Sequence, residues 1–145
     1  EKTMPKRILD SPTMYKQTGR PVGPYSQAVA VTGGTLVFIA GQVAWGPDGR
    51  VVGKGDLAAQ YRHIMKNLKA ILAEVGGTMN DLVKITNFVT RRVTKSEAYP
   101  QIAEVRKEYI TKDFPVSSMI EVEALMDPDL LVEVETVAVV DSLPG

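Results

Sequence analysis

The chain has 145 residues, 44% of them hydrophobic, with nine Pro and twelve Gly, which describes one ordinary folded domain and excludes a disordered or fibrous chain. Seventeen Lys and Arg balance seventeen Asp and Glu, so there is none of the excess positive charge of a dedicated nucleic-acid binder. With no cysteine and one histidine, His63, disulfides, thiolate catalysis, cysteine-based metal centres and a multi-histidine metal site within one chain are excluded.

In chain order, residues 1–20 carry Pro5, Pro12 and Gly19 and little periodicity, as in an arm or edge strand. Residues 26–32 and 35–40 are β-prone runs separated by Gly33-Gly34, the signal for a tight hairpin. Gly41 to Trp45 then leads into a turn-rich connector that reaches Gly55. Asp56 is a plausible N-cap for a helix whose apolar residues recur at Leu57, Tyr61, Ile64, Met65, Leu68, Leu72 and Val75, with Gly76-Gly77 as its stop. Residues 81–90 read as a strand, and Thr94 with Glu97 offers a capping box. Because Pro100 does not fit deep in a helix, the second helix is expected to begin between residues 97 and 100 and run to about 110, on a face of Ile102, Val105 and Tyr109. Two strands close the chain, residues 116–125 and 131–140.

The order β-β-β-α-β-α-β-β predicts a single α+β domain over residues 1–145, with two helices on one face of a mixed sheet. The last strand is apolar on both parities over its second half, so the other sheet face is expected to be covered in a homo-oligomer. No stretch approaches the roughly 20 apolar residues of a membrane span, and no basic start precedes an apolar run. The expectation is a soluble, cytoplasmic protein with no membrane or nucleic-acid partner.

The neutral charge is segregated. All 17 basic and 9 of the acidic residues lie in 1–112, a balance of +8, and the other 8 acidic residues lie in 113–145. If the last two strands pair around Pro128, Glu121 faces Glu135 and Glu123 faces Glu133, in one row on one face. Such a row is either a general acid/base carboxylate lining a cleft or a solvated or ion-paired strand face. Tyr25, after Gly23-Pro24, and Gly41-Gln42, ending a strand, present further polar groups at strand ends. His63 reads as solvated, and Trp45 as either a pocket wall or a core cap.

The ordered set Gly23-Pro-Tyr-Ser-Gln-Ala28, Phe38-Ile-Ala-Gly-Gln42, Val83-Lys-Ile-Thr-Asn-Phe-Val89, Phe114-Pro115 and Leu131-Val-Glu-Val-Glu-Thr-Val-Ala138 resembles the RidA, or YjgF, family of reactive-intermediate deaminases over roughly residues 20–140. The resemblance implies a chorismate-mutase-like fold assembled as a homotrimer with intersubunit clefts. It implies hydrolysis of enamines or imines of small acids to 2-keto acids and ammonia, without metal or organic cofactor. In that family an arginine grips the substrate carboxylate and a glutamate handles water. Carried over, Tyr25 and Glu133 are the catalytic candidates, and Ser117, Gln42, Ser118 and Gly41 the substrate-binding ones.

Pro115-Val116-Ser117-Ser118 stands where the family's Pro-x-Arg-Ser carries the arginine, so the chain resembles an arginine-lacking, divergent subgroup. Ala103 likewise stands where the second helix usually has an Asn. Loss of the cation directs the expectation toward a substrate such as 2-aminomuconate rather than 2-aminoacrylate, unless Arg20, Arg91, Arg92 or a backbone donor substitutes. It also suggests that Ser117→Arg would raise activity on 2-imino acids. The competing expectation is a non-catalytic, ligand-binding or chaperone-like trimer.

Overall fold

A computed structural model describes residues 6–9, 11–13 and 24–145. Its strands are β1 (Lys6–Leu9), β2 (Ala28–Val31), β3 (Thr35–Gln42), β4 (Leu82–Thr90), β5 (Val116–Val122) and β6 (Val132–Val140), and its helices α1 (Leu57–Glu74) and α2 (Lys95–Tyr109). The α+β class and the element order agree with the sequence reading. Residues 1–5, 10 and 14–23, which include Arg20 and most of the expected arm, lie outside the described residues.

The helices form where local chemistry favours them. Asp56 caps α1 by accepting from the Ala59 N–H at 3.0 Å, and Gly76, at φ 70°, turns the chain off its other end. The Thr94–Glu97 capping box is present, so α2 starts at Lys95 rather than at 97–100. Pro100 is accommodated in the second turn, where its missing N–H costs one hydrogen bond and the box holds the turn before it.

The main sheet has the order β3-β6-β4-β5, antiparallel except for the parallel β4–β5 pair. Two expected pairings are corrected. Gly33 and Gly34 do turn at positive φ (76° and 82°), but β2 pairs with β1 and β3 with β6. The turn therefore passes the chain between two sheets instead of closing a hairpin. Likewise, β5 and β6 do not pair. Because α2 crosses over between β4 and β5, β5 lies parallel to β4 on its outer side, and β6 inserts between β3 and β4. The expected four-carboxylate row is therefore absent: Glu121 pairs in register with Val89, Glu133 with Phe88 and Glu135 with Thr86.

Both helices cover one face of this sheet. Ile39, Ile85, Val89, Val132, Val134 and Ala138 pack there against Tyr61, Ile64, Leu68, Ile102 and Val105. On the opposite face Phe38 is 76% exposed, Leu36 59% and Ile120 45%. No helix among the described residues is long and apolar enough to cross a membrane.

Candidate functional site

Three apolar stripes are each interrupted by a polar residue, and the three interruptions meet. Tyr61 lies on the buried face of α1, Asn87 on the buried face of β4, and Arg106 on the inner face of α2; all are at most 4% exposed. Arg106 donates from Nε and Nη2 to the Tyr61 hydroxyl at 3.2 and 3.0 Å, from Nη2 to Asn87 Oδ1 at 3.3 Å, and from Nη1 to Ser117 Oγ at 3.0 Å. Tyr61 in turn donates to Asn87 Oδ1 at 3.1 Å, and Asn87 Nδ2 donates to Ser117 Oγ at 3.2 Å and to the Ser118 carbonyl at 2.9 Å.

Counting donors shows what remains. A guanidinium has five N–H groups; four are engaged here, and the second on Nη1 has no partner among the described residues. Ser117 Oγ accepts twice, which fills its two acceptor positions and leaves its own O–H to donate elsewhere. Among the described residues no carboxylate lies within ion-pair distance of Arg106. A cation buried with neutral acceptors alone is costly. Its place in the last turn of α2, at the negative end of the helix dipole, offsets part of that cost.

Arg106 and Ser117 line a cavity of about 220 Å³, together with Tyr99, Ala103, Met119 and, from the segment before β2, Tyr25. The Tyr25 phenol is held above the ordinary phenol range, first by burial and then by its hydrogen bond and proximity to Tyr99. It is thus a protonated donor at neutral pH. The segment carrying Tyr25 is tied to the sheet by the Ser26 N–H, which donates to the Pro115 carbonyl at 2.9 Å.

The other expected site residues lie elsewhere. Glu133 is on the uncovered face of β6, with its carboxyl group packed over Gly41 so closely that a methyl at residue 41 would overlap it. A bulge between Ile39 and Gln42 shapes this corner, and the Gln42 side-chain amide donates to the Ala40 carbonyl, two residues back, at 3.2 Å. Ser118 alternates to the face opposite Ser117 and is exposed. The cavity therefore unites Tyr25 and Ser117, and separates them from Glu133, Gly41, Gln42 and Ser118. Outside this cavity, His63 Nε2 lies 2.9 Å from the Trp45 carbonyl, and Trp45 is 42% exposed.

Of the cations expected to replace the missing arginine, Arg91 pairs with Glu123 and Arg92 borders a separate hollow beside Asp56 and Glu97. The cation at Ser117 is Arg106, which the sequence reading passed over; its Nη1 lies 3.0 Å from Ser117 Oγ. Its signal was present: it follows Ala103 by three residues and Ile102 by four, on the inward stripe of α2.

The family model described as Endoribonuclease L-PSP matches residues 16–140. The chain belongs to the RidA/YjgF family. It is 36% identical over 119 residues to a RutC family protein of Pyrococcus abyssi, covering 82% of this chain and 88% of that one. It is 31% identical over 137 residues to a 2-iminobutanoate/2-iminopropanoate deaminase of Dermatophagoides farinae, covering 94% of this chain and 98% of that one. Among solved structures, the Rid family protein YyfB of Yersinia pestis, of unknown function, superimposes with a TM-score of 0.82 at 33% identity, covering 93% and 98% of the two chains. This RidA-family chain thus has a cation at its cleft on α2, where Ser117 on β5 has none.

Proposed function

We propose that this RidA-family protein is a cofactor-free hydrolytic deaminase of a carboxylate-bearing enamine or imine, working in clefts between the copies of a homotrimer. The observation that carries the reading is Arg106: a buried guanidinium that, among the described residues, has no carboxylate partner and keeps one N–H left over beside the Ser117 hydroxyl at a cavity wall. Two convergent donors, one of them charged, suit a substrate carboxylate. The enamine first becomes its imine by moving a proton from nitrogen to carbon. Water then adds to the C=N carbon, and the resulting carbinolamine expels ammonia to leave a 2-keto acid.

In this scheme Arg106 and Ser117 hold the carboxylate, and the protonated Tyr25 phenol donates to the nitrogen as charge develops on it. Glu133, over Gly41 on the other sheet face, is supplied by a second copy and takes the proton from water. The likeness to an imine deaminase at 31% identity supports the reaction class. With a cation back at the cleft, the reason for preferring 2-aminomuconate to 2-aminoacrylate weakens, and both are substrates to assay.

The test is ammonia release from enzymatically generated 2-aminoacrylate and from 2-aminomuconate. Turnover of either supports the reading. Turnover of neither, with 2-keto acids still bound through Arg106, favours the non-catalytic ligand-binding trimer instead.

A further inference from the structure

The groove between α2 and β5 does not end at Arg106. Along α2, Lys95, Ala98, Tyr99, Ile102, Ala103 and Arg106 follow the three-and-four spacing of one helix face, and along β5, Ser117, Met119 and Glu121 alternate onto the same side. The first cavity occupies the Arg106–Ser117 end. A second, of about 230 Å³, lies at the Lys95–Glu121 end, and the two share Tyr99 and Met119 as a common wall. Eleven helical steps and four strand steps give the groove a length of about 13–16 Å.

The two ends differ in chemistry. The first presents the guanidinium and hydroxyl donors described above. The second is walled by Val89, Val93, Ala98 and Met119, with one positive and one negative side chain, Lys95 and Glu121, at its edge. It therefore supplies apolar surface without a net charge. Met119, between them, is a flexible side chain able to repack around ligands of different shape.

We propose that this second compartment receives the hydrocarbon tail of the substrate, so that the protein selects 2-imino acids with an unbranched apolar chain of several carbons over those with a single methyl. The inference rests on the carboxylate-binding reading of Arg106 and extends it to the substrate's other end. A tail leaving the Arg106 end passes between Tyr99 and Met119 and exchanges water for the apolar walls beyond. Each methylene buried there strengthens binding about fourfold.

The test uses the stable 2-keto acid products as probes, titrated into the oligomeric protein by calorimetry: pyruvate, 2-oxobutanoate, 2-oxopentanoate and 2-oxohexanoate. Affinity is expected to climb about fourfold per added carbon until the compartment is filled. Ala98→Leu, which fills the compartment from its α2 wall, should bring 2-oxohexanoate down to the affinity of pyruvate. Val93→Phe does the same from the wall beyond β4, in case the first variant fails to fold. Equal affinity across the series, or a gradient that survives both plugs, overturns the inference while leaving the carboxylate site standing. Arg106→Met should weaken every member by a similar factor. Binding of none of them, pyruvate included, overturns the carboxylate reading and this inference with it.

Discussion

The two faces of the main sheet carry different polar groups, and the proposed function divides its chemistry between them. On the helix-covered face Asn87 and Ser117 meet Arg106 and Tyr61, a donor-rich network around a buried cation. On the uncovered face, one residue along in register, Phe88 lies beside Glu133, and the carboxyl group sits over Gly41. Strand alternation produces this split, since neighbouring residues point to opposite faces. Side chains so placed do not meet within one chain, whereas a second copy whose uncovered face meets this chain's cavity brings them together. The exposed Phe38, Leu36 and Ile120 on the same face as Glu133 are the apolar surface on which such a contact would be built.

The largest effect that would break this division of labour is at the carboxylate. Glu133→Gln keeps shape and removes the base, and is expected to lower kcat by about 10²–10⁴ while 2-keto acid affinity stays near that of the parent. A comparable loss of affinity would place Glu133 in ligand binding instead.

Ser117→Arg comes next. With Arg106 already within 3.0 Å of Ser117, a second guanidinium faces the first, so the gain expected from the sequence becomes a loss. Destabilisation on the order of 2–4 kcal/mol is expected in chemical unfolding. A stable variant with higher activity would show that Arg106 is not the working cation.

Arg106→Met follows, with carboxylate binding weakened about 10- to 100-fold, the worth of a hydrogen-bonded charge. Thermal stability should be little changed or improved, because a buried cation with no carboxylate partner among the described residues gives way to an apolar chain of similar length. A large drop in stability with binding preserved would make Arg106 a structural group. The smallest effect is at Gly41→Ala, whose methyl displaces the Glu133 carboxyl group without removing it. A decrease in kcat of about tenfold is expected, the scale of a slightly misplaced catalytic group, with KM nearly unchanged; an unaltered kcat would detach the glutamate's position from its role.

The helices and their caps were legible because Asp56, Thr94, Glu97 and Gly76 act within a turn of their own positions. The pairing of β5 was not, since the crossover through α2 is decided by packing over the whole sheet and leaves no mark at Pro128. The same holds at the site. Tyr25, Ser117 and Glu133 are candidates from their neighbours in the chain, but Arg106 is recognised only once Tyr61 and Asn87, 45 and 19 residues away, are seen to converge on it. A single arginine on a helix reads as a solvated residue until its face is known to be the inner one. The expectation of lost charge at Ser117 considered that residue alone, whereas Arg106 stands 3.0 Å from its hydroxyl.

The most direct test of a site shared between copies is to refold Arg106→Met and Glu133→Gln chains together in equal amounts. Each variant alone is expected to be strongly impaired, yet in randomly mixed closed oligomers about one cleft in four combines an intact Arg106 half with an intact Glu133 half. The account predicts recovery of about a quarter of the parent's ammonia release per cleft. Mixed oligomers that form and stay as inactive as the separate variants would contradict it.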